Sequence, residues 1–74
     1  MTTLPVDRLE EARQLTQRCI LAGLTPKSIA YRLHTEYHVG VSWRTIYRWA
    51  KGEHAPQRES DLEALRKLTK KAEG

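Results

Sequence analysis

Cys19 is the single cysteine of the chain, and it constrains the fold more than any other residue. It has no intrachain disulfide partner and no second thiolate for a metal cluster. Neither staple is available to hold a chain of 74 residues, which buries a smaller fraction of its surface than a typical domain. Stability must come from packed helices or from a partner subunit. A lone thiol suits a reducing compartment. "MTTLPVDRLEEA" has no basic region followed by an apolar run, which argues against a signal peptide. No apolar stretch nears the roughly 20 residues of a membrane span. The expectation is one soluble, cytoplasmic domain over residues 1–74, with no membrane association.

The punctuation predicts four helices and no strand, an all-α fold. Asp7 precedes "RLEEARQLTQRCILA" with Glu10 three residues on, a capping-box pattern. Leu9, Ala12, Leu15, Cys19, Ile20 and Ala22 recur at helical spacing, and Gly23 is a stop signal. Thr25 caps a second helix, with Pro26 at its first position. Ile29, Ala30, Leu33 and Tyr37 share one face of that helix, which runs to about Glu36 or His38. Ser42 caps a third helix, "WRTIYRWAK", which Gly52 ends. Pro56 blocks continuation through "GEHAPQ". Ser60, with Glu63 three residues later, is expected to cap a fourth helix over about 60–72, with a stripe of Leu62, Leu65 and Leu68.

Charge singles out the middle of this arrangement. Lys plus Arg number 13 against 9 Asp plus Glu, a net charge of +4. That total favours a polyanionic partner only mildly. The distribution is more informative. Glu36 is the one carboxylate between Lys27 and Lys51, a segment that also holds Arg32, Arg44 and Arg48. Two short helices joined by a glycine-bearing turn, the second basic and Ser-capped, are what a helix-turn-helix requires. In that arrangement the second helix enters the DNA major groove, N-terminal residues at the base edges, and its free N–H groups favour nearby phosphates.

"SIAYRL … GVSWRTIYRWAKGEHAP" resembles the helix-turn-helix of phage repressor and Cro-type regulators over roughly residues 24 to 56. The matching features are Ala30 within the first motif helix, the Gly40-Val41-Ser42 turn, Ile46, Trp49, the basic-Gly ending "AKGE" and the following Pro56. One departure stands out: "HTEYHV", His34 to Val39, adds six residues before the turn. They either lengthen the first motif helix, as Tyr37 on the Leu33 face suggests, or form a loop. Similar Thr-Ile-Tyr-Arg-Trp strings occur in transposases, resolvases and phage packaging proteins, so the motif specifies DNA binding better than it specifies a subfamily.

The resemblance implies a motif over about 25–52 and assigns roles. Ile46 and Trp49, three apart, form the core face. Arg44 and Arg48, four apart, face outward. Arg44 is placed for a base edge, by the two-point contact that arginine makes to guanine, and Arg48 for a base or the backbone. Tyr47 is placed for a phosphate, and Thr45 for a phosphate or the other motif helix. Thr25, Lys27, Ser28 and Lys51 occupy phosphate-clamp positions, Thr25 being a helix cap as well; Ser42 belongs to the same end of the recognition helix. Trp43 has three readings: the edge of the core, a contact to DNA, or a dimer contact.

The other chemistry-bearing residues point elsewhere. His34 and His38 have zinc-ligand spacing on a helix but no evident third ligand, and read as polar turn residues together with His54. Cys19 reads as a small core residue. No nucleophile-base set, phosphate loop or carboxylate pair is evident, so neither catalysis, a cofactor, a metal nor a small-molecule ligand is expected. The expected function is sequence-specific binding of double-stranded DNA as a homodimer, in a phage or mobile-element repressor or autorepressor that acts by operator occupancy. The alternatives are an excisionase-like or packaging-type DNA adaptor, and a protein-binding antirepressor whose basic helix meets an acidic partner.

Overall fold

The computed structural model describes residues 8–74. Four helices follow one another: α1 Arg8–Leu21, α2 Pro26–Tyr37, α3 Trp43–Lys51 and α4 Glu59–Glu73, with no strand among the described residues. Helix α1 packs on α3 and α4, and α2 packs on the same two helices. The core between them holds Leu15, Ile29, Leu33, Ile46, Trp49 and the α4 leucines Leu62, Leu65 and Leu68. No helix among the described residues is long and apolar enough to cross a membrane.

The ends of the helices follow from local chemistry. Helix α1 closes in a Schellman turn: Gly23 takes φ 104°, its N–H donates to the Ile20 carbonyl, and the Leu24 N–H donates to that of Cys19. Helix α2 opens in a reciprocal capping box. The Ser28 N–H donates to Thr25 Oγ1 at 3.1 Å and the Thr25 N–H to Ser28 Oγ at 2.8 Å. Helix α3 is capped by Ser42, whose Oγ accepts from the Thr45 N–H at 3.4 Å. It ends at Gly52, φ 79°, where the Glu53 N–H reaches the Arg48 carbonyl at 3.0 Å.

Helix α4 departs from expectation. It begins at Glu59 with Arg58 at the N-cap and no side-chain cap, so Ser60 is an exposed first-turn residue and not the cap. Glu59 and Asp61 in that turn place negative charge at the positive end of the helix dipole. The Asp7 cap expected for α1 lies outside the described residues. Glu10, its expected partner, has its carboxylate bound by Arg13 and Gln14.

The apolar stripe of α1 is narrower than its spacing suggests. Leu9 and Ile20 lie at its edge and are more than a third exposed. Thr16 is buried in their place. Among the described residues its hydroxyl is the one buried side-chain polar atom without a hydrogen-bond partner. Between α1 and α4, Cys19 Sγ lies 3.2 Å from Thr69 Oγ1, which donates to the Leu65 carbonyl at 2.7 Å. Burial raises the Cys19 thiol pKa above its ordinary value, as fits a core thiol.

The six extra residues divide between helix and turn. His34 to Tyr37 extend α2. His38 ends it in the left-handed conformation at φ 60°, its N–H donating to the His34 carbonyl, while the Val39 N–H donates to that of Leu33. Val39 then enters the core. The connection to α3 therefore spans residues 38–42. Its left-handed residue is His38, a non-glycine, and not Gly40, whose φ is not positive and where an added Cβ would meet open space.

Candidate nucleic-acid interface

Helix α3 has two faces of opposite character. Ile46 and Trp49 are buried. Trp43, Arg44, Tyr47, Arg48 and Lys51 are exposed, which gives α3 its strong amphipathicity. Trp43, at the first position of the helix, is 43% exposed and is not part of the hydrophobic cluster.

The rings on this face hold cations. Lys27 Nζ, from the first turn of α2, lies 5.8 Å from the centroid of the Trp43 ring, and Arg44 Cζ lies 5.6 Å from it. Lys51 Nζ lies 5.0 Å from the Tyr47 ring. All three are within cation–π range. The Lys27–Trp43 contact ties the beginning of α2 to the beginning of α3. It joins residues far apart in sequence, and no local pattern signals it.

Ion pairing separates the arginines of this face from most of those around α1 and α4. Arg66 of α4 binds Glu11 of α1 at 2.5 Å and also Glu59 and Glu63. Arg8 pairs with Glu59, Arg18 with Glu73, and Lys71 with Glu36. Glu36, the sole carboxylate of the middle segment, accepts from Arg32 at 2.9 Å and Lys71 at 3.1 Å. Those two cations hold its carboxyl below the ordinary value, Arg32 contributing most. Among the described residues Lys27, Arg44 and Arg48 have no carboxylate partner; the same is true of Arg58, Lys67 and Lys70. Lys51 has only Glu53, at 3.7 Å. No carboxylate among the described residues therefore pairs with the cations at the beginning of α3.

The remaining sequence-derived positions are placed as follows. Thr25 and Ser28 stand beside Lys27 at the start of α2, their hydroxyls engaged with each other and with the capping backbone. Ser42 and Thr45 are engaged similarly, their hydroxyl oxygens 3.2 Å apart. Thr45 is half-buried and lines a groove of about 270 Å³ with Val41, Trp49, Ala55, Pro56 and Asp61. It thus borders the α4 side of α3, beside Trp49. His34 and His38 are exposed, and no group of three or more His, Cys, Asp or Glu among the described residues could hold a metal ion.

Set against protein-family models, curated proteins and solved structures, the chain matches none.

Proposed function

We propose that this chain is a non-catalytic, sequence-specific double-stranded DNA-binding regulator, which acts as a homodimer by occupying an operator. This is the mode of phage and mobile-element repressors and places it in a bacterial cytoplasm or nucleoid. The observation that carries the reading is the unneutralised, aromatic-backed basic face of α3, on a molecule whose α1–α4 side pairs most of its arginines with carboxylates. Exposed cations without internal partners are available to displace the counterions of DNA. In this reading α3 enters the major groove, with Arg44 at a guanine edge and Arg48 at a base or the backbone. Tyr47 and Lys51 contact backbone. The start of α2, with Lys27, Thr25 and Ser28, faces a phosphate, where the helix dipole adds to the lysine charge. One such module covers little DNA, and a two-fold pair of α3 helices supplies the rest of the interface.

Selection from a randomised duplex pool at low salt tests the reading, with light scattering to give the oligomeric state. A preferred duplex is expected, bound with an affinity that falls steeply as salt rises. Arg44→Ala should erase about 1–3 kcal/mol of discrimination at one base pair. Lys27→Ala should instead weaken all sequences alike and reduce the salt slope by about one. If no duplex is retained at low salt, the reading is wrong.

A further inference from the structure

The roles above leave Trp43 unexplained. It is a large apolar ring, 43% exposed, outside the core cluster and at the leading residue of α3. It is not spent on stabilising the core. Its ring carries two cations that have no carboxylate partner among the described residues, one of them Arg44. The floor of the major groove presents hydrogen-bond donors, acceptors and one apolar group, the C5-methyl of thymine. An indole has a single donor and a broad apolar surface, so the methyl is the groove-floor group that this surface fits.

Resting on the DNA-binding reading, we propose that Trp43 is a specificity-determining residue that packs against the 5-methyl group of a thymine adjacent to the guanine taken by Arg44. The ring contact limits where the Arg44 guanidinium can lie. The fork and the indole surface then address neighbouring base pairs, and the preferred site carries thymine next to guanine. A Trp43 used only for phosphate or sugar contact would be indifferent to the methyl.

The test uses the whole chain and the duplex selected from a randomised pool. Failure to select any duplex would overturn the DNA reading and this proposal together, before any methyl is removed. With a selected duplex in hand, each thymine is replaced singly by deoxyuridine, which keeps the hydrogen-bonding edge and lacks only the methyl. One position next to a guanine should lose about fourfold in affinity, the equivalent of one buried methyl group. The loss should vanish in Trp43→Ala and in Trp43→Gln and persist in Trp43→Phe, with helicity measured by circular dichroism for each. Two variants carry the same expectation, so misfolding of one does not decide the result. DNA binding that no deoxyuridine weakens, or a deoxyuridine loss that survives in folded Trp43→Ala or Trp43→Gln, overturns the proposal and leaves the DNA reading standing.

Discussion

The side of the molecule formed by α1 and α4 and the outward face of α3 use the same residue types for opposite ends. Between α1 and α4, arginine is a fastener: Arg66 bridges to Glu11 and also holds Glu59 and Glu63, while Arg18 bridges to Glu73. On α3, Arg44 rests against an aromatic ring and Arg48 has no carboxylate partner among the described residues. The aromatic residues divide in the same way, Trp49 buried and Trp43 exposed. Where a cation is paired, its charge is consumed within the fold. Where it is backed by a ring, the ring orients the guanidinium and leaves its charge and donors available.

The two tryptophans give the sharpest way to break this division. Trp49→Ala should lower stability by about 3–5 kcal/mol, the range for emptying a buried aromatic site, and the marginal domain should be largely unfolded at room temperature. Trp43→Ala should cost less, about 1–2 kcal/mol, since Trp43 lies outside the core cluster and only about half of it is buried. Urea unfolding followed by circular dichroism measures both. Comparable losses at the two sites would return Trp43 to the core.

A smaller contrast is expected between arginines. Arg66→Ala should lower the melting temperature by a few degrees, on the order expected for a small domain losing one modest stabilising network, and leave DNA affinity unchanged. Arg48→Ala should do the reverse, with melting unchanged and DNA affinity lowered roughly tenfold, the scale of one lost base or phosphate contact. A pair of variants that both affect melting, or both affect binding, would show that the division by pairing is not a division by role.

Much of this was legible in the sequence because it is local. The Thr25 and Ser42 caps, the Gly23 and Gly52 stops, and the Ile46/Trp49 core pair follow from residues within one or two turns of each other. What could not be read depends on tertiary placement. Ser60 carries a good cap signal, yet α4 starts before it at Glu59, three residues after buried Pro56. Thr16 and Val39 are buried and Leu9 and Ile20 partly exposed by the way the helices pack, which spacing along one helix does not reveal. Gly40 looked like the residue the turn would need, but the left-handed position falls on His38. At the interface, the outward placement of Arg44 and Arg48 was readable from helical spacing, while the exposure of Trp43, the Lys27–Trp43 contact and the place of Thr45 on the groove toward α4 were not.

The weakest expected effect is also the one that separates the two regions by pH. Glu11, Glu36 and Glu73 all have carboxyl groups held below the ordinary value of 4.5, chiefly by hydrogen bonds from Arg66, Arg32 and Arg18 respectively. A carboxyl whose pKa is lower folded than unfolded binds protons more readily in the unfolded chain. Its contribution to stability is therefore present above about pH 4.5 and is lost as pH falls through the lowered folded values. These groups are largely solvent-exposed, so the acid-induced loss should be shallow and reduced further by salt. Glu11→Gln or Glu73→Gln should flatten the fall in urea midpoint between neutral pH and pH 3. Arg44→Ala with Arg48→Ala should leave its shape unchanged, because α3 contains no carboxylate and these two arginines pair with none among the described residues. An acid profile altered by the α3 double variant would mean that its arginines take part in carboxylate pairing after all, and the face would lose the free charge on which its DNA-binding assignment rests.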